Sequence, residues 1–222
     1  MYKISNPRGE AVVNYEGLSN AVIKGSVKQV VEATQAAIAE GAEPMEIIQK
    51  GLTAGITIVG QRFKACEMYV PEVLMSAKAM AAGVDLVKPL LKGGEVLTKG
   101  RFMIGTVKGD LHDIGKNLVA LMMESSGFEV INLGVDISPE RFADAVREHK
   151  PQLLGLSALL TTTMLAMQDT IEGLKEAGLR DTVKVMIGGA PLSADFALEI
   201  GADGYAPDAA SATEVAQKLL SK

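Results

Sequence analysis

The chain has no tryptophan, a single cysteine and only two histidines in 222 residues. One thiol excludes an internal disulfide framework and fits a reducing compartment. No apolar run approaches the roughly 18 residues that a membrane-spanning helix requires. The opening MYKISNPRGE also lacks the basic-then-apolar order of a secretory signal. The expectation is therefore a cytoplasmic protein without a membrane partner. An excess of basic charge is missing as well: 22 basic against 27 acidic residues give a net charge of -5, which offers no electrostatic footprint for nucleic acid. Two common nucleotide signatures are absent from the glycine-bearing stretch GDLHDIG, which has neither the GxGxxG spacing nor the lysine of a phosphate-cradling loop.

What is present falls into two halves, and the chain is long enough for one large domain or two small ones. From Tyr15 to Leu91 the apolar period is helical. Val27, Val30, Val31, Ala37 and Ile38 recur at spacings of three and four before Gly41, and Ile47, Ile48, Leu52, Ile56 and Val59 form a stripe after Pro44. A third such segment follows Pro71, and a shorter helix is expected near Leu18 to Ile23. The sum is a four-helix bundle over residues 15–92, preceded by an arm, 1–14. The glycine-rich, aperiodic KGGEVLTKG then marks a linker at 93–100.

Beyond it, short β-rich runs alternate with helical ones. RFMIGTV, FEVINLG, LLGLSA, VKVMIGG and DGYA read as strands, with helices from Asp113, from Pro139, near Met164, at Ala194 to Ile200 and at the end of the chain. This order predicts an α/β domain over 101–222: a five-stranded parallel sheet of flavodoxin-like (Rossmann-like) type, whose ligands sit beyond the carboxyl ends of the strands. The unusual residues all follow strands: Gly109, Asp110 and His112, then Gly134, then Ser157 and Thr161 to Thr163, then Gly188 and Gly189.

His112 stands between Asp110 and Asp113. Asp110, two residues away, is placed to fold its carboxylate onto one imidazole nitrogen and leave the other free for a metal. The blander readings remain open at this point: a turn-stabilising loop histidine, threonines that cap a helix, a glycine pair that makes a turn. One histidine is too few ligands for zinc, so a metal here would arrive already coordinated inside a cofactor. The second histidine, His149, lies near an expected helix C-terminus, where the helix dipole favours it.

Three ordered elements, Asp110-Leu111-His112-Asp113-Ile114-Gly115, Ser157-Ala158-Leu159 and Gly188-Gly189, carry a resemblance. The chain from about Tyr15 onward resembles the cobalamin-binding corrinoid proteins, the methyl-carrier subunits of methanol, methylamine and methoxyl methyltransferase systems. It is also similar to the cobalamin module of cobalamin-dependent methionine synthase. The resemblance implies a cobalamin or related corrinoid cofactor that cycles between cob(I)alamin and methylcob(III)alamin. His112 would be the lower axial cobalt ligand, displacing the cofactor's own base. Asp110 would be its hydrogen-bond partner and Thr163 the hydroxyl member of the same relay. Ser157 and Thr161 fall at positions contacting the nucleotide tail; Gly109, Asp113, Gly134, Gly188 and Gly189 would line its slot, and Tyr205 and Ala209 its far wall, with Leu111, Gly115 and Leu159 as further cofactor-binding positions. In the helical half Phe63 and Val70 fall over the methyl group, although from periodicity alone both read as bundle core. Val70 stands where leucine is common. Cys66, which reads as a small buried hydrophobe, stands where the capping turn often has glycine.

The implied partners are a donor-specific methyltransferase, an acceptor methyltransferase serving tetrahydrofolate, tetrahydropterin or a thiol, and a reductive activation protein. The chain is then the corrinoid subunit of a multi-component enzyme and does not turn over alone. Two rivals share the histidine motif. The cobalamin subunit of an adenosylcobalamin mutase commonly lacks the helical half, and a cobalamin-based sensor usually carries a DNA-binding domain ahead of it.

Overall fold

In the computed structural model, residues 13–91 and 98–221 are described. Most of the expected arm and linker lies outside them. The chain divides into two compact units, Met1–Glu95 and Val96–Lys222. No helix among the described residues is long and apolar enough to cross a membrane.

The first unit is helical: α1 (Tyr15–Ile23), α2 (Val27–Ala39), α3 (Pro44–Glu46), which runs through a π-helical turn, Ile47–Thr53, into α4 (Ala54–Lys64), and α5 (Val70–Val87). α1 begins earlier than its apolar pattern suggests because the Asn14 side chain accepts from the Gly17 amide at 2.7 Å. The stripe Ile47, Ile48, Leu52, Ile56 and Val59 is buried as expected. Gly51 and Gly55 let that helix approach α1 closely: a Cβ at Gly51 would lie 2.4 Å from Leu18 Cδ2, and one at Gly55 2.7 Å from Val22 Cβ.

Three expectations for this unit need correction. Val27 is exposed, because it is the first residue after the Ser26 cap and precedes the turn where Val30 goes inside. Phe63 and Val70 are only half-buried, since they flank the turn between α4 and α5 rather than sitting within the packed helices. Cys66 is exposed, not buried. It occupies the left-handed position that ends α4, with φ +58°, its amide donating to the Phe63 carbonyl at 3.0 Å and the Glu67 amide to the Arg62 carbonyl at 2.8 Å. That is the paired closure in which helices favour glycine.

The second unit holds β1 (Arg101–Thr106), β2 (Glu129–Asn132), β3 (Leu153–Ser157), β4 (Lys184–Gly188) and β5 (Gly204–Tyr205), all parallel in the order β2-β1-β3-β4-β5. α6 (Ile114–Ser125), α7 (Pro139–His149), α8 (Leu165–Glu176), α9 (Ala194–Glu199) and α10 (Ala209–Leu220) connect or follow them. Because side chains alternate along a strand, the sheet feeds two cores. Met103, Leu154, Leu156, Val185 and Ile187 pack with Phe142, Met167 and Ile171; Phe102, Ile104, Leu153 and Met186 pack with Met123, Ala212 and Ala216. Two strand glycines make room for rings: a Cβ at Gly105 would meet the Phe142 ring at 2.8 Å, and one at Gly155 the Phe102 ring at 2.7 Å.

Replacing Cys66 with glycine should relieve the left-handed strain and raise stability by up to about 1 kcal/mol, whereas Cys66→Val should lower it. Urea titration of the two variants, read as midpoints at unchanged slope, checks both signs.

Candidate cofactor site

The strand order reverses between β1 and β3, where consecutive connections leave toward opposite faces of the sheet. Open parallel sheets bind ligands in the crevice at that switch point. The loop leaving β1 holds His112, and the loop leaving β3 holds Thr161–Thr163 as a single 3-10 turn. The two loops meet at one side chain.

That side chain is Asp110, which has no exposed surface. Its Oδ1 accepts from the His112 amide at 3.0 Å and lies 2.7 Å from His112 Nδ1; its Oδ2 accepts from the Leu159 amide at 2.7 Å and the Thr163 hydroxyl at 2.8 Å. Burial by itself would raise the Asp110 pKa, but donation from the Leu159 and His112 amides, the His112 ring and the Thr163 hydroxyl outweighs it and holds the carboxyl well below the usual carboxylate range. An ionised carboxylate only accepts, so Nδ1 of the ring carries the proton in this contact, and the neutral imidazole keeps an unshared pair on Nε2. The His112 side chain is 51% exposed. Its backbone is held too, since the hydroxyl of fully buried Thr106 donates to the His112 carbonyl at 2.9 Å.

The surface of the two loops that meet at Asp110 is unexpectedly apolar. Leu111, Ile114, Leu159, Leu160 and Leu165, all from the β1 and β3 loops or the helix starts that follow, are exposed. A lone, oriented imidazole nitrogen amid exposed leucines suits a metal whose other positions are filled by its own large, partly apolar macrocycle. Open space beside two glycines adds to the fit: a Cβ at Gly115 or Gly134 would meet nothing within 4 Å.

Comparison with known proteins gives the same answer. Two family models match, both described as a B12 binding domain, over residues 15–88 and 100–214. The chain belongs to the B12-binding corrinoid proteins. A corrinoid protein of Desulfitobacterium hafniense is 45% identical over 208 residues, covering 92% of this chain and 96% of the relative. Dimethylamine corrinoid protein 1 of Methanosarcina acetivorans is 46% identical over 204 residues, covering 91% and 95%. Among solved structures, the methanol:cobalamin methyltransferase complex from Methanosarcina barkeri superposes with a TM-score of 0.81 at 31% identity, covering 100% of this chain and 86% of that one. The cofactor of this corrinoid protein is cobalamin or a close relative of it.

The structure gathers the expected residues of this unit, Gly109 to Gly115, Gly134, Ser157, Leu159, Thr161, Thr163, Gly188, Gly189, Tyr205 and Ala209, at or beyond the carboxyl ends of the five parallel strands. Their surroundings differ in ways the sequence did not reveal. Asp113 is the first residue ahead of α6 rather than inside it, and its carboxylate accepts from Asn117 Nδ2 at 2.9 Å instead of capping the helix. Ala209 is buried at the start of α10, and Tyr205 is half-buried against the core. Gly189 meets a constraint internal to the chain: at φ +146°, a Cβ there would lie 1.8 Å from the Ala158 carbonyl oxygen. Phe63 and Val70 belong to the helical unit.

Several residues of the site escaped the sequence reading. Ile114, Leu160 and Leu165 carried a signal, being apolar where a loop or helix start is ordinarily polar. Lys116 carried none. It is 3% exposed, its Nζ donating to Asn117 Oδ1 at 2.6 Å and to Asn132 Oδ1 at 2.8 Å, and Asn132 Oδ1 also accepts from the Gly134 amide at 3.1 Å. Burial lowers the Lys116 pKa, with neighbouring Asp113 opposing. This network ties the start of α6 to the exit of β2.

Gly189→Ala should destabilise the protein by about 3 kcal/mol or more, the range of severe steric and backbone lesions. Thermal melting of the variant beside the parent protein measures it, and an unchanged midpoint would mean the β3 and β4 exits are not packed as described.

Proposed function

We propose that the chain is a methyl carrier that binds its corrinoid with His112 Nε2 on the lower face of cobalt and serves separate donor and acceptor methyltransferases. The observation that supports this best is the Asp110–His112 contact at 2.7 Å, which engages Nδ1 of a half-exposed ring in the loop leaving β1 at the sheet's switch point. The bound corrinoid supplies the chemistry, a cobalt that takes up and gives up a methyl group. The chain's own residues supply direction and charge. Asp110 fixes the ring's tautomer and raises the basicity of Nε2. Leu159, Thr163 and the His112 amide keep the carboxylate ionised, so it can hold the Nδ1 proton while the ring bears positive charge on cobalt binding. Apolar Leu111, Ile114, Leu159, Leu160 and Leu165 exclude water from the lower ring face, the open glycines 115 and 134 accommodate the displaced tail, and Gly109 lies beside them. Ser157, Thr161, Asp113, Gly188, Gly189, Tyr205 and Ala209 are the further tail contacts, and on the helical unit Phe63 and Val70 offer apolar surface suited to a methyl group.

Support for the carrier role comes from the relatives: one is named a dimethylamine corrinoid protein, and a solved relative is a methanol:cobalamin methyltransferase complex. The donor of this chain is accordingly a small methylated compound handled by a partner enzyme. Its acceptor is a folate, a pterin or a thiol handled by another, with a reductive activation protein returning oxidised cobalt to service.

Two measurements test the reading. His112→Ala should retain the fold but shift the visible spectrum of the bound corrinoid to that of a cobalt lacking imidazole; an unchanged spectrum would remove His112 as the ligand. The methylated protein supplied alone with donor and acceptor should show no turnover above solution background, and appreciable turnover without added enzymes would contradict the carrier role.

A further inference from the structure

We propose that Asp136, in the loop leaving β2, is a positioning residue that sets the direction of the His112 ring by gripping the peptide segment behind it. The inference rests on the reading of His112 as the cobalt ligand. Asp136 is one of three described non-glycine residues with positive φ, at +55°. Its Oδ1 accepts from the Gly109 amide at 2.7 Å, and its own amide donates to the Asp110 carbonyl at 3.1 Å. One residue of the β2 loop therefore holds both ends of the Gly109-Asp110 segment, 27 positions away in the chain.

Asp110 is the residue that orients His112, so the tilt of its backbone sets where the imidazole points. Gly109 itself stands at φ +83°, a conformation with little intrinsic preference to hold this direction. Other links between the two strand exits include main-chain bonds from the Thr106 amide to the Gly134 carbonyl and from the Ile137 amide to the Thr106 carbonyl, both 3.0 Å, and from the Leu133 amide to the Ile104 carbonyl at 2.8 Å. They fix the edge of the sheet but stop short of Gly109. Only a residue that tolerates the left-handed region and carries an acceptor can extend the grip, which selects aspartate or asparagine. Asp136 is exposed, and its exposure argues against a packing role.

The test uses the full chain, labelled with 15N-histidine and loaded with cob(II)alamin, and reads the share of cobalt carrying a histidine nitrogen by electron paramagnetic resonance. Asp136→Gly keeps the left-handed backbone and deletes the acceptor; Asp136→Ala deletes the acceptor and disfavours the backbone; Asp136→Asn keeps both. With corrinoid content and circular dichroism unchanged, the ratio of histidine-bound to histidine-free cobalt should fall about three- to tenfold in the first two, the effect of losing one solvent-exposed hydrogen bond of ordinary strength, and recover in the third. A parent-like ratio in Asp136→Gly or Asp136→Ala, beside a parent protein that shows the histidine signal, overturns this proposal alone. A parent protein without the signal overturns the axial-ligand reading and this proposal with it.

Discussion

A carboxylate with no exposed surface is unfavourable unless every lone pair finds a donor. Asp110 meets that demand with three main-chain amides, those of His112, Leu159 and more distantly Leu160, an imidazole and a hydroxyl, the donors of the second loop lying 49 to 53 residues away in sequence. Each such bond is worth more than a neutral one because the acceptor is charged. The whole set exists only if the loops after β1 and β3 lie side by side. Burial of one charge thus selects the arrangement of the site: Leu159 must present its amide, Thr163 must close a 3-10 turn, and His112 must turn Nδ1 inward and Nε2 outward.

The sheet makes that meeting possible. Parallel pairing of β1 with β3 sets Thr106 opposite Ser157, so the two loops leave from the same height. Pairing of β3 with β4 sets Ser157 opposite Gly188, which brings Gly189 against the Ala158 backbone. A side chain at 189 would push the β3 exit away and with it the Leu159 amide that Asp110 requires. The same economy operates on the β2 side, where buried Lys116 and exposed Asn132 fasten α6 to the strand end next to Gly134. The apolar surface near His112 is left exposed by this packing, and it has the character of a binding face rather than of a solvated one.

Much of this was legible beforehand. Strand runs followed by Asp110-Leu111-His112, Ser157 and Gly188-Gly189 pointed to the sheet, its carboxyl edge and the aspartate-histidine pair, because short β-rich apolar runs and strand-end glycines are local signals. The family resemblance placed Thr163 with Asp110, and its hydroxyl donates to that carboxylate at 2.8 Å. Residues whose environment depends on distant chain were not legible in the same way. Cys66 is a small hydrophobe by type, but the closure of α4 puts it in a left-handed position facing solvent. Val27 fits the helical stripe by spacing and is exposed at the first position of α2, where burial begins only with Val30.

The sequence by itself determined the two halves of the chain, the alternation of strands and helices, and the presence of one histidine beside a carboxylate after the first strand. These follow from composition and from contacts within a few residues. Only the tertiary structure decided which oxygen of Asp110 each donor reaches, that Gly189 yields its side chain to the Ala158 carbonyl, that Lys116 is buried, and that Asp136 reaches across to Gly109. Each of those depends on loops brought together by strand order, and strand order is a property of the assembled sheet that no stretch of sequence expresses locally.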